Sequence, residues 1–196
     1  MRHYFDAIQG DEAFNFSLQI LQIHDAEIDI VSHQPDAQGQ PISFNVTQTH
    51  RLLLSLGNPG NGEDTYSLSS RAVDEQGQSL DHLVDIEFLN PEKTIDARSN
   101  GIVSVDMTIS DDMPALQPFV IEFTSTSKGQ QTISDTIELL AQASPSKEWQ
   151  IALLDSSEIN LLPGKTSSIQ IEVQNIGNAP DQLAMTPDVQ LSLIHI

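Results

Sequence analysis

The sequence has no cysteine among its 196 residues, so disulfides, thiolate nucleophiles and thiolate metal ligands are all excluded. Many small extracellular domains depend on disulfides, so a domain in this chain must be held together by its core alone. Aromatic residues make up 5% of the chain and hydrophobic residues 38%. Such a composition can build a core of Leu, Ile and Val, but it indicates no row of exposed aromatic rings for binding sugars.

Basic residues are also scarce, with 8 Lys and Arg against 28 Asp and Glu, which gives a formal net charge of −20. A field of this sign repels nucleic acid and anionic membrane surfaces, so we exclude nucleic acid as a partner. The acidic residues are scattered along the chain, which is typical of the solvated surface of a secreted or salt-adapted protein. A diffuse cation-binding surface is the alternative interpretation.

No apolar run approaches the roughly 20 residues of a membrane span, so we expect no membrane contact in this chain. No window has helical 3.6-residue spacing either; apolar and polar residues alternate instead, and the predicted fold class is all-β. The alternating segments are 14–20, 28–31, 52–56, 84–88, 103–109, 119–123, 137–141, 149–153 and 169–173. One residue from each of five segments is expected in a shared core: Leu54, Ile86, Val105, Ile121 and Leu139.

A turn pattern, Asn-x-Gly-Asn-x-x-Asp, occurs twice, each time directly after an alternating apolar segment. Each copy precedes a second short strand, which is predicted around Tyr66 and Leu68 and around Leu183 and Met185. The first copy contains Asn58, Gly60, Asn61 and Asp64, and the second contains Asn175, Gly177, Asn178 and Asp181. Every residue of the second copy lies 117 positions after its counterpart. A constant separation of that size fits a sandwich of about 100 residues plus a linker, so the pattern predicts tandem immunoglobulin-like β-sandwiches.

The repeat divides the chain into five segments. Residues 1–26 are interpreted as the last strand of an upstream domain, 27–143 as a complete sandwich and 144–148 as a linker. Residues 149–190 are interpreted as the front part of a second sandwich, and we expect residues 147–196 to be poorly packed. Residues 191–196 match the translation of a common transposon mosaic-end sequencing adapter, so we interpret them as an artefact. The array is therefore expected to be truncated at both ends.

Three features carry a family resemblance: the repeated turn, the Pro163-Gly164 turn two strands before its second copy, and a late strand that contains Phe123 and ends in Ser125 to Ser127. Together they resemble the immunoglobulin-like repeats of bacterial and archaeal surface proteins, especially NPCBM-associated domains, found beside α-galactosidase catalytic domains, and CARDB-type cell-adhesion repeats. The resemblance covers about 27–143 and 147–190. It implies a sandwich that acts as a spacer or accessory module without shared catalytic residues. The first copy departs at Pro41, which lacks the following Gly.

The repeated Asn, Gly and Asp residues allow two interpretations. Asn and Asp oxygens suit calcium, but in turns Asn tolerates the left-handed region, Gly adopts positive φ readily and Asp accepts backbone hydrogen bonds. Repetition favours the structural role, so we expect two superimposable turns between adjacent strands. Positive φ is expected at Gly60 and Gly177, or at the Asn after each. We predict no metal-ligating, catalytic or cofactor-binding residues and no cofactor.

Catalytic motifs are missing: the sequence has no His-Glu-x-x-His, no Gly-x-Ser-x-Gly and no P-loop. We therefore expect a non-catalytic structural, spacer or adhesion module of a large cell-surface or secreted protein. The alternative is an accessory module of a secreted carbohydrate-active enzyme. Neighbouring Ig-like domains of the same chain are the expected partners, with cell-surface glycans or proteins as further candidates. The expected location is extracellular or at the cell surface.

Overall fold

The structure is a computed structural model that describes residues 2–9, 12–33, 39–154, 164, 166 and 168–186. The described residues form β-strands and no α-helix, which confirms the all-β prediction. This part of the chain therefore holds no helical segment with the length and hydropathy of a membrane span. The predictions about residues 162–163 and 187–196 lie outside the described ranges.

Two sheets lie between residues 27 and 143. In spatial order, the first contains β3 (Glu27–Ile30), β5 (Thr49–Asn58), β9 (Ser99–Ile109) and β7 (Val84–Phe88). The second contains β4 (Ile42–Phe44), β11 (Ser134–Ala143), β10 (Pro118–Ser127), β6 (Asp64–Val73) and β8 (Glu92–Ile95). All neighbours are antiparallel except β4 and β11. From β3 to β10, strands that are consecutive in sequence alternate between the two sheets, whereas β10 and β11 are antiparallel neighbours in the second sheet.

The core lies between the two sheets and follows the two-residue period of the strands. Every second residue is buried along the whole of β10 and, in β9, from Val103 to Ile109. Of the five predicted core residues, Leu54, Val105, Ile121 and Leu139 are at most 1% exposed and belong to one cluster. Ile86 is half-buried and packs against that cluster from the edge strand β7. Each buried side chain of this size contributes about 1.5–3 kcal/mol through the hydrophobic effect.

Within the sandwich, two strands were not predicted from the sequence, β4 and β8, and both lie at an edge of the second sheet. β4 has three residues and β8 has four, so neither is long enough to show a clear alternation. Each places one apolar side chain in the core, Phe44 and Ile95 respectively. Short edge strands of this kind are held by their neighbours more than by their own sequence.

Two further antiparallel pairs flank the sandwich in sequence. The first joins β1 (Arg2–Gln9) to β2 (Glu12–Gln19), which covers most of the predicted strand at 14–20. The second joins β12 (Trp149–Leu153) to β13 (Ile171–Asn175), with Gln150 opposite Gln174. Apolar side chains of β12 and β13 are exposed, for example Ile151 at 56%. The five-segment division of the chain stays a prediction.

Among the described residues, one buried side-chain polar atom lacks a hydrogen-bond partner, the Oγ of Ser125 in β10. Because burying a hydroxyl without a hydrogen bond is unfavourable, we expect Ser125→Ala to raise the free energy of unfolding by about 1 kcal/mol. Ser127→Ala is the matched control, since Ser127 is equally buried but donates to Asp64. It should lower that free energy by about 1–2 kcal/mol. Chemical denaturation of both variants measures the difference, and a loss of stability in Ser125→Ala would contradict the prediction.

Candidate functional site

Asn58 closes the first turn from within. Its Oδ1 accepts a hydrogen bond from the Gly60 amide at 3.0 Å, and its Nδ2 donates to the carbonyls of Gly62 and Ile95, both at 2.9 Å. The side chain is 1% exposed, so the amide exchanges its water contacts for three protein partners. Because Ile95 ends β8, the same side chain also ties the turn to the opposite sheet.

The second Asn of the pattern holds the segment that leads into the sandwich, residues 20–26, which we call the first lead-in segment. Asn61 accepts from the Ile23 amide at 2.7 Å and donates to the Leu21 carbonyl at 3.1 Å. The backbone amide of Asn61 donates to the Ile23 carbonyl at 3.3 Å. These bonds place an extended segment alongside the turn, so the turn is an anchor for incoming chain.

The second turn repeats these contacts. Asn175 accepts from the Gly177 amide at 3.0 Å and donates to the Ala179 carbonyl at 2.9 Å, as Asn58 does with Gly60 and Gly62. Asn178 accepts from the Ser146 amide at 2.6 Å and donates to the Ser144 carbonyl at 3.1 Å. Residues 144–148 therefore form a second lead-in segment.

The strand pairing next to each turn also corresponds. Next to the first turn Glu27 lies opposite Gly57, and next to the second Gln150 lies opposite Gln174. Glu27 and Gln150 each follow the anchored residue, Ile23 or Ser146, by 4 positions, and Gly57 and Gln174 each directly precede the first Asn of their turn. The two sites are thus alike in hydrogen bonding and in strand register.

Two details of the turn prediction are wrong. First, positive φ occurs at Gly39, Gly77 and Gly164, but at neither Gly60 nor Gly177 nor the Asn after each. A Cβ built on Gly60 would instead collide with the carbonyl oxygen of Ile23, and one on Gly177 with that of Ser146. Glycine is required here because the lead-in backbone passes too close for any side chain.

Second, the first turn does not join neighbouring strands. It connects β5 and β6, which lie in different sheets, so it is a crossover between sheets. After the second turn, residues 176–186 contain no strand, although a short one was predicted around Leu183 and Met185. In the first unit the corresponding strand, β6, pairs with both β8 and β10.

The final Asp of the pattern differs most between the two copies. Asp64 is 5% exposed and its carboxylate accepts four hydrogen bonds, from His24 Nδ1 at 2.7 Å, Ser127 Oγ at 2.6 Å, and the amides of Thr65 and Gly129. Burial raises the pKa of Asp64, but these hydrogen bonds outweigh it and hold the pKa below its ordinary value. The anion therefore joins the lead-in segment, β6 and the loop after β10.

Asp181 has a weaker set of contacts. Lys147 lies 3.4 Å from its carboxylate, and the Gln182 amide donates at 2.8 Å. The backbone hydrogen bond from Gln182 is the main cause that lowers the pKa of Asp181. Lys147 directly follows Ser146 in its lead-in segment, as His24 directly follows Ile23 in the first. A nitrogen-bearing side chain facing the final Asp is thus common to both sites, although neither partner was predicted from the sequence.

The arrangement leaves these side chains little capacity for other chemistry. The carbonyl oxygens of Asn58 and Asn61 and the carboxylate of Asp64 already accept hydrogen bonds from the protein. Among the described residues, no group of three or more His, Asp or Glu side chains could hold a metal ion. What the geometry does is hold each lead-in segment against its turn.

We therefore expect calcium to leave the melting temperature of the protein nearly unchanged apart from an ionic-strength effect. The physical reason is that the turn oxygens are already occupied by protein donors, and scattered exposed carboxylates bind calcium only diffusely. Thermal unfolding with micromolar calcium and with magnesium at equal ionic strength tests this. A saturable rise in melting temperature with calcium alone would contradict it.

Comparison with known proteins gives likeness of fold only. No family model and no curated protein matches the sequence. Solved structures with similarity include a family 123 glycoside hydrolase from Clostridium perfringens (TM-score 0.43, 11% identity, 61% of this chain and 27% of that chain). Others are the periplasmic chaperone SfaE (0.39, 8%, 60% and 57%) and domains 4 and 5 of the S-layer protein SbsC (0.39, 10%, 74% and 58%). The chain spans less than two thirds of each of these proteins.

Proposed function

We propose that the chain is a non-catalytic structural module of a large cell-surface or secreted protein, in which Ig-like units follow one another and set spacing, display or weak adhesion. The observation that carries this proposal is the repeated anchor. Two turns of the same sequence pattern hold two lead-in segments through the same atoms, at Asn61 and at Asn178. A device that recurs where one unit follows another serves the connection between units.

The chemistry of the anchor supports this role over an enzymatic one. The buried carboxylate of Asp64 is fully engaged by donors and holds three segments together. Its low pKa keeps it ionised at neutral pH, as a structural anion requires and a general acid does not. The large negative charge of the chain also disfavours nonspecific association between copies.

The proposal can be tested by displaying the chain between a membrane anchor and a fluorescent reporter on a cell surface. A spacer should raise the reporter above the membrane by an increment that repeats when the chain is duplicated. A reporter height that does not change with copy number would contradict spacing. A glycan array on the same protein separates the alternatives, since saturable binding to one glycan would favour an accessory module of a carbohydrate-active enzyme.

A further inference from the structure

The second anchor makes contacts that the first does not. Besides holding its lead-in segment, Asn178 donates through Nδ2 to the Met113 carbonyl at 3.1 Å. The backbone carbonyl of Asn178 accepts a hydrogen bond from the Ala115 amide at 3.0 Å. Met113 and Ala115 belong to the loop between β9 and β10, residues 110–117, which we call the docking loop. The turn of the second unit thus lies against the sandwich that precedes it.

The docking loop is held in place by contacts within the sandwich, independently of the turn. The Met113 side chain is 3% exposed and inserts into the sandwich core. Leu116 donates its amide to the Ala143 carbonyl at 3.0 Å, and its φ of 59° is a left-handed conformation that a branched side chain adopts only when surrounding contacts enforce it. The loop therefore presents the Met113 carbonyl and the Ala115 amide in set positions.

Donor and acceptor also match across this contact. The docking loop supplies the Met113 carbonyl as an acceptor and the Ala115 amide as a donor, and Asn178 supplies its Nδ2 as the donor and its backbone carbonyl as the acceptor. The same Nδ2 donates to the Ser144 carbonyl in the lead-in segment, so a single side chain links the sandwich, the linker and the next unit. A linker of five residues joined at both ends in this way has little freedom to bend.

We infer that residues 110–117 form an interaction surface for the Asn-x-Gly-Asn turn of the following unit, and that Asn178 fixes the angle between the two units. This inference rests on the proposed spacer function and makes the spacer stiff. The partner is thus a second copy of the same turn, recognised through its second Asn. Asn61 is the corresponding residue for a docking loop of a preceding unit.

The two Asn residues supply a matched pair of variants. Asn178→Ala removes the side-chain bonds to the docking loop and to the second lead-in segment. Asn61→Ala removes the equivalent lead-in bonds, to Leu21 and Ile23, without touching the docking loop. Asn178→Asp is a third variant, because it keeps an acceptor for the Ser146 amide but cannot donate to the Met113 carbonyl.

The absence of cysteine allows spin labels to be placed at two chosen positions in the full chain. Thr132→Cys and Gln174→Cys are both at exposed positions, one in the sandwich and one in β13. Double electron–electron resonance should give a narrow distance distribution in the parent protein and after Asn61→Ala. It should broaden in both Asn178 variants. Hydrogen exchange at the Ala115 amide should accelerate in those variants only.

A broad distribution in the parent protein, or one that Asn178→Ala and Asn178→Asp leave narrow, would overturn the inference. Circular dichroism confirms that each variant keeps its sheets, so a broadening cannot be mistaken for unfolding of the sandwich. The outcomes also separate the two proposals. A mobile joint in a protein without ligand or activity refutes only the fixed angle, whereas a specific glycan ligand refutes only the spacer function.

Discussion

Asp64→Ala should lower the free energy of unfolding of the sandwich by about 3 kcal/mol, because it removes a buried anion and leaves its donors unpaired. The orphaned groups include His24 Nδ1, the Ser127 hydroxyl and the Gly129 amide. The midpoint of thermal unfolding should fall by roughly 10 °C. Urea denaturation of the full chain, monitored by far-UV circular dichroism, measures the change in the free energy of unfolding.

Asp181→Ala is the control, since Asp181 stands at the same place in the second turn. Its ion pair with Lys147 is longer and more exposed, so the cost should stay below about 1 kcal/mol. Equal effects of the two substitutions would contradict the structural role assigned to Asp64. The comparison isolates the contribution of the buried network from that of the turn sequence.

The pH dependence of the stability difference between the parent protein and Asp64→Ala gives an independent check. Hydrogen bonds hold the pKa of Asp64 in the folded protein below that of an unfolded Asp, which is about 3.9. Its stabilising contribution is therefore fully present above that value and is lost as the pH falls through the folded pKa. The stability difference between the parent and Asp64→Ala should be constant near neutral pH and shrink below about pH 4. A difference that persisted in acid would exclude ionisation as its source.

Much of the sandwich could be predicted from the sequence because its central strands alternate strictly. Val105 and Ile121, in two different sheets, both lie where a two-residue period puts them. The two edge strands of the second sheet, β4 and β8, could not be predicted, since they contain too few residues to show a period. Their pairing depends on partners that are distant in sequence, such as Ala141 opposite Ile42.

The anchor was predictable in its residues and not in its mechanism. The spacing identified Asn58, Asn61 and Asp64, and turn chemistry predicted that Asp accepts backbone hydrogen bonds, as Asp64 does from the Thr65 amide. The hydrogen bond from the Gly60 amide to Asn58 was not predicted. The partners of Asp64 were missed, because His24 and Ser127 are 40 and 63 residues away in sequence. A second alignment, of the strands that follow the lead-in segments, was the available signal, since His24 and Lys147 each lie four residues before an Ile of the next strand, Ile28 and Ile151.

The glycines illustrate how one residue type can serve two physical needs. Sequence reasoning assigned Gly60 to a left-handed backbone, whereas the structure needs it for close approach of another segment. Gly77, by contrast, has a φ of 78° and no neighbour near its missing Cβ. Only the position of the lead-in segment distinguishes the two cases. The turn therefore needs glycine for close packing and not for its backbone conformation, so even the methyl group of alanine should disturb it.

Gly60→Ala should accordingly lower the free energy of unfolding by about 3 kcal/mol, comparable with other substitutions that force backbone to move in a packed site. The added Cβ would meet the Ile23 carbonyl, a backbone atom that cannot turn aside, so the turn and the first lead-in segment must separate. The Ile23 amide, which donates to Asn61 at 2.7 Å, should then exchange with solvent faster. Urea denaturation and hydrogen exchange measure the two effects.

Gly62→Ala is the matched control within the same turn. Its added Cβ would meet only the side chain of Gln22, which is exposed and can rotate away, so the cost should stay below about 1 kcal/mol. If Gly60→Ala and Gly62→Ala lower the free energy of unfolding equally, the glycines serve general turn flexibility and not the close approach of the lead-in segment. If only Gly60→Ala lowers it and speeds exchange of the Ile23 amide, Gly60 is needed for the contact between the turn and the first lead-in segment.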